Sequence, residues 1–219
     1  MAKVVIFGLR ENSSLAHFYL THDSEHEVVA FSVHAEHVES SEFEGCPVVD
    51  FESVQDTYPP GEFALFAPLS PTGMNRVRES VYAEAKEKGY GLVSYVSSKA
   101  TVFPGAEIGE NCFILEDNTI QPFTPIGNDI VLWSGNHIGH HGTIHDHVFF
   151  TSHVVLSGRC EVGSYSFFGV NATIRDGVKI AEGTLVGMGA CVTRDTEPWG
   201  VYTGNPARIG PKPSHELDF

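Results

Sequence analysis

The chain has 219 residues, 42% of them hydrophobic and 19% charged, which is enough for one or two folded domains with a substantial core. A net charge of −15 repels nucleic acid and anionic membrane surfaces, so neither is an expected partner. No apolar run nears the roughly 20 residues of a membrane span. The opening MAKVVIFGLREN lacks the basic and apolar zones of a signal peptide, and Cys46, Cys112, Cys160 and Cys191 show no CxxC spacing. These features together predict a cytoplasmic protein.

Residues 1–95 alternate strand-like and helix-like stretches. KVVIF reads as a buried strand, residues 12–21 as a helix, and EVVAF, CPVVDF and FALFAPL as further strands. MNRVRESVYAEAKEKG is a helix with Val77, Val81 and Ala85 on one face and Gly89 as its stop. Alternation of this length predicts a small Rossmann-like βαβ domain with a parallel sheet.

From residue 96 to the end the period becomes six. Stepping from Val96 by six reaches Val192 through seventeen positions, all aliphatic or Phe, without an insertion. Glycine often follows the apolar residue (109, 127, 139, 163, 169 and 187), and the fourth residue after it is often small (Ala100, Ala106, Cys112, Gly142, Ala172 and Ala190). A short fixed repeat of this kind is the signature of a parallel β-helix in which stacked hexads bury one apolar column. Residues 96–219 are therefore expected to form this second domain.

Six of the twelve histidines fall in one stretch, SGNHIGHHGTIHDHVFFTSH. His137, His140, His141, His145, His147 and His153 all miss the apolar column and can face a groove or solvent. His145 and His147 read as polar cover. A coil of three hexads, if the chain forms one, would put His140 over Gly158 and Asp176, and the glycine would leave room for a substrate. The cations are also uneven. None occurs in residues 101–158, and six follow: Arg159, Arg175, Lys179, Arg194, Arg208 and Lys212. In so acidic a chain this gathering suits a phosphorylated ligand at the C-terminal coils.

The pattern [LIV]-G-x-x-small-x resembles the hexapeptide-repeat acyltransferases. The βαβ start, with SHVVLSG, FFGVNATIRDGVKI, VGMGACVT and TGNPAR in order, resembles their bacterial sugar subgroup, which includes bacillosamine and perosamine N-acetyltransferases and sialic-acid O-acetyltransferase-like proteins. This resemblance implies a left-handed coil of three hexads per turn, about five coils here, a homotrimer with sites between subunits, and acetyl-CoA as co-substrate. It also implies a nucleotide-linked amino or deoxy sugar as acceptor, in surface-glycan synthesis. By the same resemblance His140 is the general base, since an imidazole can take a proton from the attacking amine or hydroxyl near neutral pH. His141 stands where relatives carry an acidic residue, so His141 or His137 could replace or tune the base. Phe149, Val170 and Met188 would line the pantetheine arm, with Arg194 and Arg208 near the phosphates and adenine. Gly8, Arg10 and Asn12 in the first turn, together with His137 on the coils, would meet the nucleotide sugar, although that turn is poor in glycine.

Two other readings remain open on the sequence. IGHHGTIH resembles the paired zinc ligands of γ-class carbonic anhydrases, with His137 as a conceivable third donor. The chain could also bind a sugar nucleotide without catalysis.

Overall fold

The computed structural model describes residues 1–217, so the last two positions of the expected 96–219 segment lie outside the described residues. The first part of the chain forms β1 (Lys3–Phe7), α1 (Glu11–His22), β2 (Glu27–Val33), β3 (Glu42–Phe43), β4 (Cys46–Asp50), α2 (Val54–Thr57), β5 (Phe63–Phe66) and α3 (Arg76–Glu87). The sheet runs β3-β4-β2-β1-β5. All of its pairings are parallel except the short β3 against β4. Strand β1 is buried on both sides: Val4 and Ile6 pack with Ala16 and Leu20 of α1, while Val5 and Phe7 pack with Val81 and Ala85 of α3. Helices on both faces explain why KVVIF reads as a continuous apolar run rather than an alternating one.

The remaining chain climbs in two-residue strands on three sides. One side stacks Phe113–Ile114, Val131–Leu132, Phe149–Phe150, Phe167–Phe168 and Leu185–Val186. The next stacks Thr119–Ile120, His137–Ile138, Val155–Leu156, Thr173–Ile174 and Cys191–Val192. The third holds Thr143–Ile144, Glu161–Val162 and Lys179–Ile180. Each register step is 18 residues, so identical hexad positions lie directly above one another. From Ile114 to Val192 every member of the apolar column is buried, whereas Val102, on the open first coil with nothing beneath it, is 36% exposed.

The fourth residue of each hexad turns the corner in the left-handed backbone region. Positive φ recurs at Asn111, Asp117, Phe123, Asp129, His141, His147, His153, Arg159, Tyr165 and Asn171, and at Gly135, Gly177, Gly183 and Gly189. Apart from glycine, this region is entered most readily by Asn, Asp and His. Three of the clustered histidines therefore occupy corner positions for which their backbone tolerance suits them.

The two parts are locked together by a buried ionic cluster. The Arg78 guanidinium is fully buried and donates to the Asp129 carboxylate (2.8 Å) and to its carbonyl oxygen (2.6 Å). Asn111 donates to the same carboxylate at 2.8 Å, and His147 Nδ1 lies 2.9 Å from its other oxygen. The His147 ring stacks on Tyr165 and meets the edge of Tyr82 on α3. Two expectations are corrected here. Val77, placed on the buried face of α3, is 45% exposed, and Arg78 takes the buried position because α3 is covered on a second side by the coils. His147 is not polar cover but part of the inter-part contact, 9% exposed.

A second tie joins the end of α1 to the first coil. The Asp23 carboxylate accepts from Ser98 N–H (2.9 Å), Tyr95 Oη (2.7 Å) and Ser97 Oγ (3.2 Å). Hydrogen bonds from Ser98, then Tyr95, hold its pKa down from the ordinary 3.8 to about 2.

Removing one partner of a buried pair leaves the other charge unsolvated. Arg78→Leu should therefore cost about 3–5 kcal/mol in urea unfolding, and a loss below about 1 kcal/mol would contradict a structural role for the pair. Asp23 supplies stability only while ionised. Its contribution is complete above the unfolded value of 3.8 and is lost as pH falls through about 2. Asp23→Asn should thus lower the melting temperature at pH 7, with the deficit closing below that window.

Candidate active site

The chain turns a corner within each hexad, and the corner after the second side carries His140. Its backbone N–H donates to Gln121 Oε1 of the coil below at 3.1 Å, and its carbonyl accepts from Arg159 N–H of the coil above at 2.8 Å. The imidazole lies over Gly158. A Cβ built on that glycine would stand 2.8 Å from His140 Cε1 and 2.9 Å from Nε2. Gly158 is therefore needed for the ring's position, and its missing side chain opens the corner beside the imidazole.

His141 follows at the left-handed turn, exposed, with its Nδ1 3.0 Å from His140 Nδ1. Phe123 of the coil below packs against the His141 ring, with centroids 4.7 Å apart. His137, the other candidate for the base, lies on the flat of the second side between Thr119 and Val155. His145 pairs with Glu161 on the third side at 3.5 Å. His153 lies against Gly135, whose added Cβ would meet its ring. Only His140 and His141 are brought into mutual contact.

Counting 18 residues upward from His140 reaches Gly158, Asp176 and then Arg194. At about 4.8 Å per stacked strand, Arg194 stands roughly 14 Å along the same corner from His140. Arg194 lines a depression with Arg208, Tyr202 and Asp195. Two cations and one acid thus meet at the end of the corner that carries the imidazole. Two of the other C-terminal cations are partly neutralised, Arg159 by Asp176 and Lys179 by Glu161.

Val170 and Met188 are 40% and 80% exposed, and Gly189 N–H donates to the Val170 carbonyl, so they stack as the spacing predicts. They lie on a different corner, between the first and second sides, a full hexad from that of His140. Phe149 is placed elsewhere: 3% exposed, it packs among Val4, Ile6 and Phe31 with the Arg78 guanidinium 5.7 Å over its ring. Its expected contact with a pantetheine arm is corrected on that ground, because the first part of the chain covers it.

In the first part of the chain, Gly8 and Arg10 line a cavity of about 400 Å³ with Phe7, Val33, His34 and Glu39. It opens at the carboxyl ends of β1 and β2, where open parallel sheets receive ligands. Gly8 has φ +115°, and an added Cβ there would collide with Ser13 Oγ. Arg10 is held loosely by Glu39 at 3.7 Å. Asn12 lies on α1 outside this lining, and His137 belongs to the coils, so the expected substrate set is not one cluster.

The buried cysteines offer no nucleophile, since burial pushes Cys112 up to about 12 and raises Cys160. Among the described residues of one chain, no group of three or more His, Cys, Asp or Glu side chains converges to hold a metal ion.

No family model matches the chain. Among solved structures, a perosamine N-acetyltransferase from Caulobacter crescentus, with CoA and GDP-perosamine bound and one histidine replaced by asparagine, superposes with a TM-score of 0.86. It shows 25% identity over 97% of this chain and 98% of that one. The acetyltransferase domain of PglB from Neisseria gonorrhoeae gives 0.81 at 19% identity over 95% and 100% of the two chains, a likeness of fold. The chain matches the bacterial sugar acyltransferase group. It shares their left-handed β-helical build. A curated relative, acyl-[acyl-carrier-protein]–UDP-N-acetylglucosamine O-acyltransferase of Campylobacter concisus, is 29% identical over 121 residues, 52% of this chain and 46% of its own length. The chain thus spans about half the length of the curated relatives it matches.

Proposed function

We propose that the protein is an acetyl-CoA-dependent sugar acetyltransferase whose acceptor is a nucleotide-linked amino or deoxy sugar. The observation that carries this reading is the shared corner. His140 stands over Gly158 at one point of it, and Arg194 with Arg208 closes it three coils further on. An extended coenzyme laid along that corner brings its phosphates to the cations and its thioester to the imidazole. The CoA and GDP-perosamine bound to the Caulobacter relative favour this over the zinc hydratase and the purely binding readings.

In this mechanism His140 Nε2 takes the proton of the acceptor amine or hydroxyl as that group attacks the thioester carbonyl. The new carbon–nitrogen or carbon–oxygen bond forms, the carbon–sulfur bond breaks, and the leaving sulfur takes that proton back from His140, so that CoA departs as the thiol and the imidazole is neutral again. The developing oxyanion needs a donor, which a backbone N–H of a neighbouring coil can supply. The cavity at Gly8 and Arg10 is the candidate seat of the nucleotide, with Arg10 free to exchange its exposed Glu39 partner for a phosphate.

A homotrimer with sites between subunits belongs to the same reading. Val170 and Met188 share no corner with His140, so pantetheine contacts with all three require a second copy. Exposed Phe103, Phe123 and Val155 on the flank of the His140 corner supply apolar surface for it. The reading keeps residues 1–95 as a Rossmann-like nucleotide-sugar domain and residues 96–219 as a β-helical acyltransferase domain of about five coils with a C-terminal tail. A cytoplasmic setting is supported by four unpaired cysteines. Among the described residues no helix is long and apolar enough to cross a membrane.

The test is thiol release from acetyl-CoA against a panel of nucleotide-linked amino sugars. His140→Ala should lower kcat by about 100-fold or more, while Arg208→Ala should chiefly raise KM for acetyl-CoA. Near-full turnover in His140→Ala would move the base to another residue.

A further inference from the structure

The contact between His140 and His141 joins like atoms, Nδ1 to Nδ1, at 3.0 Å. Two neutral imidazoles can make that bond in only two ways, because one Nδ1 must carry the hydrogen and the other must accept it. If His140 Nδ1 accepts, its hydrogen lies on Nε2 and the ring cannot take a proton there. If His140 Nδ1 donates, Nε2 is left with a free lone pair beside Gly158. The second arrangement needs His141 to be neutral, with its own hydrogen on Nε2.

The surroundings favour a fixed acceptor at His141. The left-handed turn (φ 55°) aims its side chain back at its neighbour, and Phe123 packs on its ring. The charged group at this corner of the coil above is Arg159, which pairs with Asp176 of the coil beyond it. Gln121 and Phe123 on the coil below bear no charge, and His137 lies on the preceding flat. Among these described neighbours no carboxylate serves His140 Nδ1.

We propose that His141 is the positioning residue of the base: its neutral Nδ1 accepts from His140 Nδ1–H and so selects the tautomer whose Nε2 takes the acceptor's proton. This rests on the acetyl-transfer reading with His140 as base. When His140 is protonated in the reaction, its Nδ1–H keeps the same acceptor and the pair survives. A second proton, on His141 Nδ1, would set two donors face to face and break it. The pair therefore does with a neutral ring what a carboxylate would do with a charge.

The experiment compares four variants in the thiol-release assay across pH 5–9, roughly the span over which imidazoles titrate. His141→Gly removes the acceptor and keeps the left-handed turn without strain. It should lower kcat by about tenfold or more while leaving KM for acetyl-CoA nearly unchanged. His141→Asn, whose side-chain oxygen can replace Nδ1 as a neutral acceptor, should restore most of that loss. His141→Asp should restore it too and move the acid limb of kcat/KM to higher pH, because an anion favours the protonated base. Wild-type kcat in His141→Gly, or an Asn variant no better than Gly, would overturn the inference while His140→Ala stays inactive. Full turnover in His140→Ala would overturn the acetyl-transfer assignment of the base and this inference with it.

Discussion

The 18-residue register carries everything else in this molecule. Because each two-residue strand hydrogen-bonds to its equivalent one coil away, position in the hexad decides both depth and direction. The first residue of the hexad is buried from Ile114 to Val192, the fourth turns a corner with positive φ, and the third stands on that corner. A single added residue would move every later side chain off its column. The insertion-free run is thus the physical condition for His140, Gly158, Asp176 and Arg194 to share one corner.

The first part of the chain is held against this column by apolar and ionic contacts together. Phe113, Val131 and Phe149 present one side of the coils to Val4, Ile6 and Phe31, supplying the bulk of the contact. Arg78, Asp129, Asn111 and His147 supply orientation, since a buried guanidinium accepts few geometries. A buried ion pair is weak as a source of net stability but costly to break, which suits a contact that fixes relative placement. The cavity at Gly8 and Arg10 is consequently held at a fixed disposition to the coils.

Much of this was legible in the sequence, and what was not has a common cause. Strands β1, β2, β4 and β5, α1 within one residue at each end, and the apolar column buried from Ile114 to Val192 follow from periodicity, whereas the two-residue β3 lies in a stretch that reads as a polar connection. The pairing of His140 with Gly158 follows from stacking by 18. Val77, His147 and Phe149 were misplaced because the surface that covers α3 and the first side of the coils comes from distant sequence, and no local period records it. The mutual contact of His140 and His141 also escaped the repeat, as it depends on how a left-handed turn aims the second ring. One usable signal was present: the fourth hexad position is filled repeatedly by Gly, Asn, Asp and His, residues that tolerate positive φ. It would have marked His141, His147 and His153 as corner residues and set them apart from His137, His140 and His145.

Coenzyme placement tests the central claim most directly. A crystal structure of the protein with CoA bound should show the sulfur beside His140 Nε2, the pyrophosphate between Arg194 and Arg208, and Val170 and Met188 of an adjoining copy against the pantetheine arm. A coenzyme seated on another corner, with its sulfur out of reach of that imidazole, would contradict the account.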